Sequence, residues 1–190
     1  MKFLTKNKNS SILKDDLKYK KNYNVNNKKL KERLLKEQKN FCAYTEKYIH
    51  ELDSTEVEHF NSSIKYNDNY YNYYGVIRAT NLFKISKNYS GSLFFQNIEE
   101  FKSRIKYKDF IYSILIENDK EAQNLISFLG FNNNKLYIQR KRHVKRLRKL
   151  FDMVNYEKSD YIEYFKNHKE ELSFITALEY ELDIKLANLI

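Results

Sequence analysis

Between residues 27 and 41 the apolar positions Leu30, Leu34 and Phe41 fall at helical spacing among lysines and glutamates. That spacing predicts a helix of three turns, capped by Asn27 and ending near Asn40. Upstream, residues 1–26 are polar and basic, with only Phe3, Leu4, Ile12, Leu13 and Leu17 to offer a core, so they read as an arm lying over the surface. Downstream the rhythm shortens. Residues 55–60 and 73–78 are strand-like, the Asn-, Ser- and Asp-rich stretch NSSIKYNDN separates them as a loop, and a short helix is expected from Asn81. The second half is more regular. It predicts a helix over residues 94–107, a strand in FIYSILIE, and a helix in DKEAQNLISFLGF closed by Gly130. Leu136, Val144, Leu147, Phe151 and Val154 then recur at steps of three and four, the mark of an amphipathic helix, and Leu172, Ile175, Leu178, Leu182, Leu186 and Leu189 repeat that rhythm. The pattern predicts one mostly helical α+β body in three parts: an N-terminal arm (1–26), a small β-containing centre (27–90) and a helical C-terminal region (91–190).

Composition narrows the class. The 190 residues are 42% hydrophobic and 16% aromatic, enough to bury a core, and 32% charged, above the roughly 25% of an average soluble protein. A disordered tail is excluded. No apolar run approaches the ~20 residues of a membrane span and the N-terminus lacks an apolar signal segment, so a cytoplasmic protein without a membrane partner is expected. The absence of Pro and Trp beside abundant Lys, Asn, Tyr and Ile follows from AT-rich coding more simply than from a design for rigidity. The excess of 35 basic over 25 acidic residues is less easily explained that way, and points to a polyanionic partner.

The excess is concentrated. Residues 135–149 hold Lys135, Arg140, Lys141, Arg142, Lys145, Arg146, Arg148 and Lys149 with no acid among them. Arg140, Arg142, Lys145, Arg146 and Arg148 are therefore candidates for phosphate contacts, which give affinity without reading sequence. A solvated helix face, or an acidic groove on a partner protein, would use the same charges. The Tyr-rich residues 66–74 could stack on bases or simply fill the core. The single Cys42 excludes an intrachain disulfide.

Of the four histidines, His59 has the most suggestive neighbours, in Glu56-Val57-Glu58-His59-Phe60. A neutral imidazole can take a proton from water near pH 7, and an adjacent carboxylate can hold a divalent metal at a leaving phosphate oxygen. Before this piece stands Leu34-Leu35-Lys36-Glu37-Gln38-Lys39-Asn40-Phe41-Cys42-Ala43-Tyr44-Thr45-Glu46, and after it come Asn72 and Asn81. In these stretches the chain resembles the HNH endonucleases, and more narrowly the defence-associated group with "Leu-Leu-x-Glu-Gln-x-x-x-Cys-Ala-Tyr-Cys-Glu" followed by "Val-Glu-His-Phe". The likeness runs over roughly residues 1–150, with EAQNLISFLGFNNNKLYIQRKRHVKRL similar to that group's ending. Members accompany an ATPase in Septu-type systems and some retrons.

The resemblance implies that residues 27–90 form a small ββα-metal centre. It implies His59 as general base, Glu58 and Asn81 as ligands of Mg²⁺ or Mn²⁺, and Asn72 as the brace that aims His59. Lys84, one turn into the helix expected after Asn81, would meet a phosphate. The implied substrate is nucleic acid, DNA ahead of RNA, and the implied partner an ATPase of an anti-phage system. The chain also departs from the group. The zinc-binding cysteines of the family fall here on Cys42, Thr45, Ile77 and Thr80, so no structural zinc is expected, and packing of Tyr44, Phe60, Tyr73 and Ile77 must hold the centre instead. Two outcomes are open: an active nuclease without zinc, or a catalytically silent binding subunit.

Overall fold

The strand-like stretches on either side of NSSIKYNDN pair with each other. In the computed structural model, which describes residues 1–65, 68–84, 88–186 and 188–190, β1 (Thr55–His59) runs antiparallel to β2 (Tyr73–Ile77), with Thr55 opposite Ile77 and His59 opposite Tyr73. Helix α3 (Arg78–Asn81) follows β2 directly, so strand, strand and helix are consecutive. All five residues of β2 are buried, rather than alternate ones, because both faces of the strand are covered. Tyr73 joins a smaller cluster with Ile12, Leu17, Leu30, Leu34 and Tyr70. Tyr74 and Val76 join the main core, where Phe60 packs against Tyr89, Phe95 and Phe128.

Helix α1 (Ser11–Lys14) and helix α2 (Asn24–Glu37) build the smaller cluster. Helix α2 lies so close to β2 that a Cβ on Gly75 would stand 2.6 Å from Leu35 Cδ2. Gln38 closes the contact: its amide accepts from Gly75 N and donates to Gly75 O, each at 2.8 Å. The remaining chain forms α4 (Ile98–Arg104), the hairpin β3 (Ile105–Lys108) and β4 (Ile111–Ile114), then α5 (Lys120–Phe128), α6 (Asn134–Met153), α7 (Lys158–Asn167) and α8 (Ile175–Leu182). The fold is α+β, and no helix among the described residues is long and apolar enough to cross a membrane.

Several expectations from periodicity are corrected. The N-terminal segment is not an arm on the surface: Leu4 is fully buried in the main core, and Ile12 and Leu17 help form the smaller one. Its terminal ammonium stands 3.4 Å from the buried Glu46 carboxylate. Burial alone would raise that carboxyl's pKa, but the ammonium and hydrogen bonds from Thr176 and Lys2 hold it below its ordinary value. Helix α2 starts at Asn24, and Asn27 does not cap it; the Asn27 side chain instead accepts from Lys20 N and donates to Lys20 O. The helix expected over 94–107 ends at Arg104, because Ile105 and Tyr107 alternate as buried residues with the exposed Lys106 and Lys108 and so belong to a strand. Helix α3 ends at Asn81 instead of beginning there, and residues 85–87, where its expected continuation would lie, fall outside the described residues. Among the described residues of the last segment only 175–182 are helical, since Asp183 turns to φ 52°, and α7 buries only Phe165, too little apolar rhythm to announce a helix.

Candidate functional site

Alternation along β1 puts Glu56 and Glu58 on the same side of the strand, where the end of α3 meets them. Asn81 donates its amide to Glu58 Oε2 at 2.6 Å and to Glu56 Oε1 at 3.0 Å, while its own Oδ1 is buried without a partner. Lys84 lies beyond α3 rather than one turn into a helix, and its side chain is 7% exposed. Its ammonium donates to Glu58 Oε1 (2.6 Å), His59 O (3.1 Å) and Phe60 O (2.8 Å). The expectation that Lys84 meets a phosphate is therefore corrected: its charge is already spent neutralising Glu58 and fastening the end of β1.

His59 is 7% exposed and oriented from one side by a carboxylate. Its Nδ1 lies 2.5 Å from Asp68 Oδ2, which also accepts from Asn72 Nδ2 at 2.9 Å, while Asp68 Oδ1 accepts from the Tyr73 hydroxyl at 2.7 Å. A carboxylate on Nδ1 keeps the ring proton there and leaves the Nε2 lone pair for chemistry. Nε2 is buried without a partner, and the ring is flanked edge-on by Tyr19 and Tyr73, with centroids 4.7 and 5.5 Å away. Asn72 is linked to His59 through neighbours. It accepts from Asn61 N at 2.8 Å, donates to Asn61 O at 3.0 Å, and reaches His59 only by way of Asp68.

These groups border an open cleft of about 640 Å³. Consecutive residues Glu56, Val57, Glu58 and His59 line it, so it runs along the unpaired edge of β1, with Asn81 beside them. The other side is built by Tyr19, by Asn24, Asn27, Lys28 and Lys31 of α2, and by Lys65. Among the described residues no three His, Cys, Asp or Glu side chains gather closely enough to form a metal site by themselves. Two carboxylates meet here around the Asn81 Nδ2, and the Asn81 Oδ1, buried and unpartnered, joins them as a third oxygen donor only if the amide turns over.

Where the family would carry zinc ligands, Cys42 is fully buried, with its sulfur 3.3 Å from the Thr80 hydroxyl and accepting from Ile77 N at 3.5 Å. Tyr44, Phe60 and Ile77 are buried with Cys42 in the main core, whereas Tyr73 is buried in the smaller cluster. The tyrosines of the 66–74 stretch are core residues more than stacking platforms: Tyr70, Tyr73 and Tyr74 are buried, while Tyr66 lies outside the described residues.

The basic helix is α6, and its charges divide. Arg140 is 4% exposed and donates to the carbonyls of Phe110 and Phe131, at 2.6 and 3.1 Å, so it ties the β3–β4 turn to α6 and is corrected from phosphate contact to structural link. Arg146 pairs with Glu171 and Arg148 donates to the Glu181 carbonyl. Arg142 and Lys145 are exposed.

Sequence reasoning missed Asp68, Glu56 and the α2 wall. The i, i+2 repeat of Glu56 and Glu58 was a usable signal. Asp68 was legible only as an acid within the loop that joins the two strands. Comparisons of the chain with protein-family models, with characterised proteins and with solved structures return no match.

Proposed function

We propose that the chain is a metal-dependent endonuclease of the HNH type, with β1, β2 and α3 as its ββα centre, hydrolysing phosphodiester bonds in nucleic acid, DNA ahead of RNA. One observation carries the reading: the Asn81 amide and Glu58 carboxylate meet at the cleft that His59 borders, and Asp68 holds His59 with Nε2 free. The Septu- or retron-like setting with an ATPase partner rests on the motif likeness of residues 34–46 and 57–60 alone.

In this reading His59 Nε2 takes the proton of the attacking water, and Asp68 stabilises the imidazolium that results. Asn72 and Tyr73 hold Asp68, so the base and its orienting carboxylate keep one geometry. Glu58 and the Asn81 Oδ1, with Glu56 alongside, would hold Mg²⁺ or Mn²⁺, hard cations that take oxygen donors and keep several waters. Bound there, the ion supplies charge stabilisation for the leaving oxygen.

A second reading, a catalytically silent nucleic-acid or ATPase-binding subunit, is favoured by Lys84, whose ammonium already neutralises Glu58. Incubating plasmid and structured RNA with wild type and His59→Ala, in Mg²⁺, Mn²⁺ or EDTA and with the cognate ATPase added, separates the two. Metal-dependent cutting that His59→Ala abolishes supports the nuclease. Equal cutting by both proteins, or none by either, removes it.

A further inference from the structure

A nuclease of this kind must bring a polyanion to His59, and the cations that border its cleft are not those of α6. Lys28 and Lys31 sit three residues apart in the first two turns of α2, on one face of the helix, and Lys65 follows β1. Lys28 and Lys65 are exposed and pair with no carboxylate among the described residues; Lys31 reaches only the Thr55 carbonyl, at 3.4 Å. The acids in the same cleft are already committed, Glu58 to Lys84 and Glu56 to Asn81. Helix α2 also presents its positive end here: it has no side-chain cap and no acid in its first turn. Independently, His59, whose Nε2 is buried and unpartnered, lines this same cleft.

We infer that the first two turns of α2, together with Lys65, form the seat for the phosphodiester backbone of the substrate strand. This rests on the nuclease reading above, and it moves nucleic-acid binding away from α6. Contacts from lysine and helix N–H groups read the backbone and not the bases, so the seat is indifferent to sequence.

The test is binding of a labelled single-stranded DNA oligonucleotide, and of RNA of the same sequence, by the full chain in EDTA across about 50 to 200 mM salt. Three proteins are compared: wild type, Lys28→Gln/Lys31→Gln/Lys65→Gln, and Arg142→Gln/Lys145→Gln/Lys149→Gln, each checked for an unchanged melting temperature. The α2 triple variant is expected to bind at least about tenfold more weakly, with its log–log salt slope reduced by about 2, from three contacts at roughly 0.7 each on a single strand. The α6 triple variant is expected to bind within about threefold of wild type. The inference is overturned if the α2 variant binds both polymers like wild type, if the α6 variant carries the loss, or if wild type binds neither. Binding as expected without cleavage in Mg²⁺ or Mn²⁺ leaves the seat standing and removes the nuclease. Cleavage that needs His59 but is unchanged in the α2 variant does the reverse.

Discussion

Asp68 is where the hydrogen bonds of the site converge, and Asp68→Asn separates its charge from its shape. Its Oδ2 accepts from two N–H donors, His59 at 2.5 Å and Asn72 at 2.9 Å, so an asparagine must leave its oxygen in that position. The new NH₂ then faces the Tyr73 hydroxyl, which can accept from it and turn its own proton to the residue-68 carbonyl at 3.3 Å. Every hydrogen bond is kept and the negative charge is lost. The stability cost is expected to be about 1 kcal/mol, against about 3 kcal/mol for Asp68→Ala, which strips a buried imidazole N–H of its partner. For a protein of this size that second figure is a fall of roughly 6–12 °C in melting temperature. In single-turnover cleavage of a labelled substrate with Mn²⁺, Asp68→Asn keeps the tautomer but weakens stabilisation of the imidazolium. The expected slowing is about 10- to 100-fold, or roughly 1.4–2.7 kcal/mol of barrier. Asp68→Ala, which also frees the ring to rotate, is expected to slow it by about 10²- to 10⁴-fold. Asp68→Asn cutting at the wild-type rate, or Asp68→Ala melting at the wild-type temperature, would refute the claim that Asp68 holds His59 for chemistry.

Three further outcomes follow from packing and charge. Arg140→Gln leaves the Phe110 and Phe131 carbonyls without their donor and is expected to cost about 2 kcal/mol in urea unfolding while oligonucleotide affinity stays unchanged; a loss of affinity at unchanged stability would return Arg140 to the binding surface. Gly130→Ala places a Cβ 2.2 Å from the Phe83 carbonyl at φ +60°, so a cost above about 2 kcal/mol is expected by thermal melting, and a neutral result would mean that the Phe83 backbone yields freely. Hydrogen bonds from Arg104 pull the Asp119 carboxyl from 3.8 down to about 2, and the pair spans α4 and α5. Its contribution, about 1–2 kcal/mol after allowing for surface screening, is fully present above about pH 4 and lost as pH falls towards 2. Acid unfolding of Arg104→Gln should accordingly depend less steeply on pH over that window, and parallel profiles would show that the pair contributes nothing.

Strands β1 and β2 and helix α6 were legible because their signals are local: β-branched and aromatic runs bounded by turn residues, and an apolar stripe that keeps its period through twenty residues. Glu58, His59 and Asn81 were singled out through the resemblance, and the run of β2 into α3 without a loop is what brings Asn81 to Glu58. Asp68 was not. Its role depends on how the loop folds back beneath His59, a long-range fact that carries no period. Lys84 and Arg140 misled for a related reason. A basic side chain looks solvated in sequence, and only tertiary structure shows that one neutralises a partly buried carboxylate and the other satisfies two carbonyls. The N-terminal segment misled because single leucines, spaced without rhythm, can still each fill a pocket in a core built by other elements.

The division of β2 between two apolar clusters has a mechanical consequence. The floor of the cleft is anchored in the larger cluster through β2, whereas the wall formed by α2 rests on the smaller one through Leu30 and Leu34. Gln38 pins α2 to Gly75 just past its C-terminal end, and Lys28 and Lys31 lie toward the opposite end. The lysine wall and the strand that bears Glu58 and His59 therefore rest on different parts of the core and are joined at the Gln38–Gly75 contact, so a substitution in the smaller cluster loosens the wall before it reaches the proposed cutting groups.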